Sequence, residues 1–254
     1  MRLDTYLTEN NFFTSRNKAK ESIERGEVKV DGKQIKKPSF DIAGGKQPQI
    51  EVVSDRQFVS LGGYKLLKAI TDFNYDVRGK IAVDVGASTG GFSDCLLQFG
   101  AKKVYAVDLN DGLLSEKLKK DERVVPVIAN ARNLAFSYFA EEIDLITADL
   151  SFISETYVLK VFSDVLTDGK DAIILIKPQF ELDEKIRLKN GIVKDEKIRK
   201  NAVKKIYDAA ISYGFSPVNL TTAPIVDGKN VEYLLLLKKS AGYFKSFDAL
   251  FNEK

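Results

Sequence analysis

Four charged residues stand where short apolar runs begin or end in the second part of the chain. Asp149 and Lys177 directly follow such runs, Glu232 lies at the start of another, and Lys65 follows a pair of glycines. A charge next to a buried strand is costly unless it is paired or functional. Lysines and carboxylates held together could orient a weak nucleophile such as a hydroxyl group and accept its proton. We therefore predict that these four residues are catalytic.

The four positions do not point to function equally. Asp149 and Lys177 end strands that are apolar enough to be interior, and the carboxyl ends of such strands face the ligand crevice of parallel α/β sheets. Pro178, directly after Lys177, ends its strand sharply. Lys65 could instead occupy a solvated helix position, and Glu232 could face water on an edge strand.

A glycine-rich turn at residues 84–92, with the sequence DVGASTGGF, could bind a cofactor. An apolar strand leads into the turn and a helix is predicted to follow it. Glycine lets such a turn bend sharply and approach a ligand closely. Asp108 ends the next apolar strand, where an acid can accept hydrogen bonds from the two ribose hydroxyls of a nucleoside cofactor. This combination favours a nucleoside-type cofactor over a merely tight strand-to-helix connection.

Three other motifs fit the same turn less well. The dinucleotide-binding pattern GxGxxG requires glycine at position 88, which is serine here. A P-loop requires lysine after the glycines, and none follows them. The turn formally contains the GxSxG motif of α/β hydrolases, but Ser88 would need a histidine partner and the chain contains no histidine. The hydrolase function is therefore excluded by composition.

Composition also indicates the cellular compartment of the protein. The chain has a single cysteine and no histidine, so it can form no intramolecular disulfide and no metal site is predicted. No apolar run approaches the roughly 18 residues that a membrane-spanning helix needs. The polar residues at the start do not resemble a secretory signal. We expect a cytoplasmic protein whose acid–base chemistry rests on Lys, Asp, Glu and Tyr.

The elements that must position these residues divide into two domains. Residues 1–53 are predicted to form a small α+β domain, 54–62 a linker, 63–240 a larger α/β domain and 241–254 a C-terminal tail. In the first domain the pattern predicts helices near 3–7 and 16–25 and strands at 28–30, 33–39 and 50–53, with Asp31-Gly32 as a hairpin turn.

The larger domain alternates between strands and helices. The predicted strands are residues 81–85, 104–107, 124–127, 143–148, 172–176, 216–220 and 231–237. The predicted helices are residues 64–73, 91–98, 113–118, 154–166 and 194–213. Seven strands with interspersed helices predict a doubly wound, Rossmann-like α/β fold.

Positive charge is clustered at residues 16–37, which carry eight basic and four acidic residues. The net charge of +3 does not by itself indicate a nucleic-acid partner, but such a cluster on a small domain favours RNA. A second basic stretch at 185–205 is mixed with acids and is more simply a solvated helix face. The predicted RNA contacts are Arg2, Arg16, Lys18, Lys20, Arg25, Lys29, Lys33 and Lys37.

The chain resembles known families over nearly its whole length. The segments RLD at 2–4, SRNKAK at 15–20, GEVKVDGK at 26–33 and KPS at 37–39 resemble the RNA-binding domain first described in ribosomal protein S4. The turn at 84–92, DLSFIS at 149–154 and IKPQFE at 176–181 resemble the FtsJ-like (RrmJ-type) ribose methyltransferases. This domain order, joined by FVSLGGYKL at 58–66, is similar to the TlyA, or hemolysin A, family.

The resemblance implies 2'-O-methylation of a cytidine in ribosomal RNA, with S-adenosylmethionine as the methyl donor. It implies a class I methyltransferase fold, in which a seven-stranded, mostly parallel sheet has one antiparallel strand. By position, Lys65, Asp149, Lys177 and Glu232 match the catalytic Lys-Asp-Lys-Glu tetrad of the family. The cofactor contacts that it implies are Asp84, Gly86, Ser88, Gly90, Gly91, Phe92, Asp108, Asn130, Arg132 and Asp149.

Two alternative functions remain at this level. The chain could be a non-catalytic RNA-binding or ribosome-assembly factor that kept the fold, although all four tetrad residues are present. The name hemolysin suggests a secreted lytic protein, which the sequence does not support because it has no amphipathic pore-forming stretch. The target nucleotide, the ribosomal subunit and the oligomeric state stay open.

Overall fold

The computed structural model describes residues 1–10, 12–13, 16–24, 26–42, 48–52, 58–182, 189–240, 242 and 245–254, with only the backbone of 18, 111 and 189. The chain divides into two compact units, Met1–Gln57 and Phe58–Lys254. No helix in these ranges is long and apolar enough to cross a bilayer.

The first unit is a small α+β domain. Its elements are α1 (Leu3–Glu9), α2 (Arg16–Glu24), β1 (Val28–Val30), β2 (Lys33–Ile35) and β3 (Ile50–Val52), with antiparallel strands in the order β2-β1-β3. Asp31 and Gly32 have φ angles of 50° and 76°, as a two-residue hairpin turn requires. The helices pack Leu3, Leu7 and Ile23 against the sheet.

The returning strand of this hairpin ends at Ile35, whereas the sequence predicted residue 39. Beyond it the chain bonds to the start of α1, because the carbonyl groups of Pro38 and Phe40 accept the N–H groups of Asp4 at 3.1 Å and Leu3 at 2.8 Å. The predicted helix position 25 and strand position 53 lie outside the described residues.

The second unit is built on a seven-stranded sheet, which confirms the predicted fold class. Its strands are β4 (Ile81–Val85), β5 (Lys103–Asp108), β6 (Val124–Ile128), β7 (Leu145–Ala148), β8 (Asp171–Ile176), β9 (Phe215–Thr222) and β10 (Tyr233–Lys239). The order is β6-β5-β4-β7-β8-β10-β9, and among these seven strands β10 alone runs in the direction opposite to the others. The order reverses between β4 and β7, and such a reversal opens a ligand crevice at the strands' carboxyl ends.

Helices cover both faces of this sheet. They are α3 (Gly62–Asp72), α4 (Gly91–Gln98), α5 (Glu116–Lys119), α6 (Thr156–Val165), α7 (Pro178–Glu181), α8 (Glu196–Ser212) and α9 (Phe247–Glu253). Alternate residues of each central strand face opposite sides: Val83 packs in one apolar cluster with α6, α8 and α9, and Ala82 in the other with α3 and α4. This alternation buries both faces of the parallel strands.

Three elements differ from the sequence prediction. The helix predicted at 113–118 is the shorter α5. The short helix α7 was not predicted, because Pro178 was taken only as a strand end although proline also suits the first turn of a helix. Part of the predicted tail forms α9, since Phe247, Leu250 and Phe251 share one helix face and are buried in the core.

Residues 58–62 of the predicted linker pack within the second unit. The Phe58 side chain is only 2% exposed. The Val59 N–H donates a hydrogen bond to the buried Asp94 carboxylate at 2.8 Å. These contacts bring Ser60 and Gly62 beside the glycine-rich turn. Residues 54–57 of that linker lie outside the described residues.

Candidate active site

The four residues predicted to be catalytic lie in one row of alternating charge. Glu232 Oε2 lies 2.6 Å from Lys65 Nζ, and Lys65 Nζ lies 3.9 Å from Asp149 Oδ2. Asp149 Oδ1 in turn lies 2.5 Å from Lys177 Nζ. Each cation therefore contacts at least one carboxylate, and Asp149 lies between the two lysines.

The strand order explains why these residues meet. Asp149 and Lys177 directly follow the parallel strands β7 and β8, so both lie at the carboxyl edge of the sheet. The strand β10 runs in the opposite direction and pairs Tyr233 with Ile176, so the residue before it, Glu232, begins at that same edge. The helix α3 adds Lys65 from one face of the sheet.

Lys177 is the most buried of the four side chains, since the residue is 8% exposed. Its Nζ donates a hydrogen bond to Ser151 Oγ at 2.8 Å and lies 5.9 Å from the centre of the Phe180 ring. Asp149 Oδ1 is buried, and its partner is the Lys177 ammonium group of this ion pair.

The glycine-rich turn after β4 approaches Asp149 closely. Gly86 has φ 80°, and a Cβ atom added there would lie 2.9 Å from the Asp149 carbonyl oxygen. At Gly91 a Cβ atom would lie 2.2 Å from Ser60 Oγ. Only glycine fits at these two positions, so the bare backbone of the turn lines the crevice.

Two cavities open on this turn. The larger, of about 570 Å³, is bounded by the ends of β4, β5 and β7, and its lining includes Gly86, Ser88, Asp108, Asn130, Arg132 and Asp149. The smaller, of about 210 Å³, extends towards Lys177, and its lining includes Asp84, Gly86, Ser88, Gly91, Phe92 and Asp149. Gly90, which the sequence also assigned to the cofactor, is the N-cap of α4.

Asp84 is only 1% exposed and bonds within the protein. Its Oδ2 accepts the Ser93 N–H at 2.9 Å and the Ser93 hydroxyl at 2.6 Å, and its Oδ1 accepts the Thr147 hydroxyl at 3.1 Å. Burial raises the pKa of Asp84 to about 6, although these hydrogen bonds oppose the increase. Asp84 therefore ties the turn to the start of α4.

The polar residues of the larger cavity are held by local hydrogen bonds. Asp108 accepts the backbone N–H groups of Ser88 at 2.8 Å and Leu109 at 2.7 Å. Asn130 Oδ1 accepts the N–H of Arg132 at 3.0 Å. The Arg132 guanidinium lies 4.7 Å from the centre of the Tyr157 ring, a cation–π contact.

Two residues beside this row of four charged residues were not assigned from the sequence. Ser151 accepts the hydrogen bond from Lys177. Phe152 is 90% exposed, has φ 64°, and lies with its ring 5.1 Å from that of Phe180. Both belong to the DLSFIS motif, which was noted as a whole although only its aspartate was given a role. An exposed ring on a strained backbone next to a cavity is typical of a ligand-contacting position.

In the first unit, two of the predicted RNA-binding residues share one buried acid. Arg2 donates two hydrogen bonds to Asp4, at 3.0 and 2.8 Å, and Arg16 Nε donates another at 3.1 Å. The Arg2 hydrogen bonds, and then Arg16, hold the pKa of Asp4 well below its usual range. Both guanidinium groups stay about half exposed, so they remain accessible to phosphate.

The other predicted RNA contacts differ in their acidic partners. Lys20 lies 3.8 Å from Glu24, and Lys29 lies 3.6 Å from Glu51. Lys33 and Lys37 are exposed, and neither has an acidic partner among the described residues. The side chain of Lys18 and the whole of residue 25, the remaining predicted contacts, lie outside the described part of the chain.

Comparison with known proteins identifies both units. Residues 58–240 match the FtsJ-like methyltransferase family, and residues 1–47 match the S4 domain. Hemolysin A of Brachyspira hyodysenteriae is 42% identical, over 92% of this chain and 98% of that protein. The Mycobacterium tuberculosis protein named 16S/23S rRNA (cytidine-2'-O)-methyltransferase TlyA is 35% identical, over 93% of this chain and 89% of that one.

One solved structure is similar to this chain in both fold and sequence. A protein from Streptococcus thermophilus, provisionally named a hemolysin, superposes with a TM-score of 0.78 at 34% identity, covering 100% of this chain and 94% of that chain. The chain thus belongs to the FtsJ-like methyltransferase family, in the group that carries an S4 domain before the methyltransferase and includes hemolysin A and TlyA.

Proposed function

We propose that this methyltransferase modifies a ribose 2'-hydroxyl of ribosomal RNA, on a cytidine, and that Lys65, Asp149, Lys177 and Glu232 form its catalytic tetrad. S-adenosylmethionine is its methyl donor. The single observation that carries the proposal is the row of alternating charge in which Asp149 lies between two lysines, at the edge of both cavities.

The residues of the crevice fit this cofactor. The larger cavity, of about 570 Å³, is within the range of small-molecule sites. Asp108 and Asn130 supply hydrogen-bond acceptors for hydroxyl and amino groups, and Leu109 and Ile153 supply apolar walls for a flat ring. The bare backbone at Gly86 leads from this cavity into the smaller one, which reaches Lys177. When bound, the cofactor supplies an electrophilic methyl group attached to a sulfonium ion.

The tetrad suits an alcohol as the methyl acceptor. A hydroxyl group is a weak nucleophile and must lose its proton when the new O–C bond forms, so it needs a base or an orienting group. We assign proton acceptance to Lys177 Nζ, which lies at the end of the smaller cavity and must first release a proton of its own ammonium group to solvent. Asp149 and Ser151 hold this amine in place, and Glu232 orients Lys65 beside it. Alignment of the reacting groups could supply much of the remaining rate.

Ribosomal RNA as the substrate is supported by the S4 domain and by relatives named as rRNA methyltransferases. The exposed Lys33 and Lys37 are suited to contact phosphates, and the exposed Phe152 ring could contact a base next to the tetrad. The partner would be rRNA or a ribosomal subunit, and we propose a cytoplasmic location for the protein because its substrate would be there.

The experiment is transfer of a labelled methyl group to ribosomal RNA, followed by mapping of 2'-O-methyl positions. We expect transfer by the native protein and its loss in Lys177→Ala and Asp149→Asn. Lys170→Ala is the matched control, because Lys170 lies 2.6 Å from Asp144 in an ion pair at the opposite ends of the same two strands. Label on a base instead of a ribose would contradict the tetrad assignment. RNA binding with no transfer would indicate a non-catalytic assembly factor.

A further inference from the structure

Two acidic residues are buried immediately behind the tetrad. Glu155, just before α6, is 2% exposed, and Glu181, the last residue of α7, is 3% exposed. Neither residue lines either of the two cavities on the glycine-rich turn. A buried carboxyl group is costly unless hydrogen bonds compensate for its lost hydration. The burial of Glu155 and Glu181 next to Asp149 and Lys177 must therefore be compensated by specific contacts.

The Glu181 carboxylate joins two segments of the site. Its Oε1 accepts the backbone N–H of Glu155 at 2.9 Å, and its Oε2 accepts the Ser154 hydroxyl. Lys205 of α8 lies 3.7 Å from the same carboxylate and donates a hydrogen bond to the Glu181 carbonyl at 2.9 Å. Glu181 is thus bonded to residues 154 and 155 on one side and to α8 on the other.

The hydrogen bonds of Glu181 with Ser154 and Glu155 lie beyond the paired part of β7 and β8, where strand pairing no longer fixes the distance between the two segments. The pairing of β7 with β8 ends at Ala148 and Ile174. Asp149 is one residue beyond that point and Lys177 is three residues beyond it. Lys177 is the N-cap of α7, which ends in Glu181, and Glu181 bonds to the end of the turn that starts at Asp149.

We propose that Glu181 is a positioning residue, which holds the turn 149–154 against α7 so that Asp149 and Lys177 stay in their ion pair. The inference rests on the proposed function, because it assigns Glu181 a role in aligning the groups that act on the substrate hydroxyl. Ser154 and Glu155 are the partners through which Glu181 acts.

The surroundings of the two acids support this assignment. Burial is the main cause that raises the pKa of Glu181, and it raises the pKa of Glu155 well above its ordinary value. The charges of Glu181 and Asp149 add to the effect on Glu155, and Lys177 opposes it. Apolar residues at these positions would avoid the cost of burial, but they could not accept the Ser154 and Glu155 hydrogen bonds.

The test compares Glu181→Ala, Glu181→Gln and a matched control in the full-length protein. Asp144→Ala is the control, because Asp144 also joins two segments, through the Ile81 N–H at 2.9 Å and Lys170 at 2.6 Å, at the opposite edge of the sheet. Methyl transfer to rRNA gives kcat and KM, calorimetry gives the Kd of S-adenosylhomocysteine, and thermal unfolding shows that each variant is folded.

We expect Glu181→Ala to lower kcat about 100-fold, the scale of a misplacement of about 1 Å. The Kd of S-adenosylhomocysteine should change by a much smaller factor than kcat, because the turn 149–154 forms only one side of the larger cavity and the segments after β4, β5 and β6 form the rest. Glu181→Gln should retain most of kcat, since its amide can accept the Glu155 N–H and donate to the Ser154 hydroxyl. If Glu181→Ala fails to fold, Ser154→Ala removes one of the two hydrogen bonds and should lower kcat by a smaller factor.

The inference is overturned if, in folded variants, Glu181→Ala lowers kcat no more than Asp144→Ala does. A glutamine variant as inactive as the alanine variant would also overturn it, because the charge and not the hydrogen-bonded bridge would then matter. A native protein that transfers no methyl group to rRNA would instead refute the proposed function, and the role of Glu181 with it. The two failures are therefore distinguishable.

Discussion

Replacing Gly86 with alanine tests whether the turn after β4 requires a residue without a side chain. Gly86 has φ 80°, which residues with a Cβ atom rarely adopt. The added Cβ would also lie 2.9 Å from the Asp149 carbonyl oxygen and 3.1 Å from Leu150 Cδ2. The first distance is well inside van der Waals contact and involves backbone, so one of the two segments must move.

The expected magnitude follows from these two effects. The left-handed backbone costs about 1–2 kcal/mol for a residue other than glycine. The close contact adds about 1–3 kcal/mol, the usual cost of extra carbon in a packed site. Gly86→Ala should therefore lower the free energy of unfolding by about 2–5 kcal/mol in urea titration.

Gly169→Ala is the matched control. Gly169 has φ 86°, and among the described residues no atom lies within 4 Å of an added Cβ. This variant carries the backbone cost without the close contact, so its free energy of unfolding should fall by only about 1–2 kcal/mol. The difference between the free energies of unfolding lost by the two variants measures the cost of the close contact between the added Cβ and Asp149.

The same pair of variants separates binding from stability. Gly86 lines both cavities, so displacing it or Asp149 should weaken binding of S-adenosylhomocysteine at least about tenfold, or about 1.4 kcal/mol. Gly169→Ala should leave the Kd unchanged in calorimetry. Equal loss of stability in the two variants, together with an unchanged Kd in Gly86→Ala, would refute the reasoning.

Two further predictions concern the buried acid and the basic domain. Burial raises the pKa of Glu155, so the folded protein keeps a proton that the unfolded chain releases above about pH 4.3. The free energy of unfolding of the native protein should therefore fall as the pH rises from 5 to 8. The free energy of unfolding of Glu155→Gln should rise relative to it by up to about 1.4 kcal/mol per pH unit in urea unfolding. A difference between the two proteins that is the same at pH 5 and at pH 8 would contradict this. In the first unit, Lys33→Ala and Lys37→Ala should each weaken RNA binding and reduce the slope of log affinity against log salt by about 0.7–0.9; an unchanged slope would exclude a phosphate contact.

Much of the architecture follows from local sequence. The apolar runs of the larger domain, each of a length suited to a strand, locate its strands to within a few residues, and the fold class follows from their alternation with helices. Asp31-Gly32 correctly predicts the hairpin turn because both residues accept a positive φ. The prediction fails where packing decides the outcome. The helix α9 forms because the core accepts Phe247 and Phe251, and α7 forms because its last residue bonds to another segment.

The sequence by itself determined the residue types that could do chemistry and their positions at strand ends, because these depend on neighbours along the chain. It excluded a histidine-dependent hydrolase and predicted an open turn at Gly86. Only the tertiary structure decided that Glu232 reaches Lys65, since that contact requires β10 to run antiparallel beside β8. It also turned the Asp84 carboxylate towards Ser93 and placed Glu181 next to the proposed tetrad. Contacts of this kind depend on strand order and on packing between segments far apart in the chain, which local patterns do not encode.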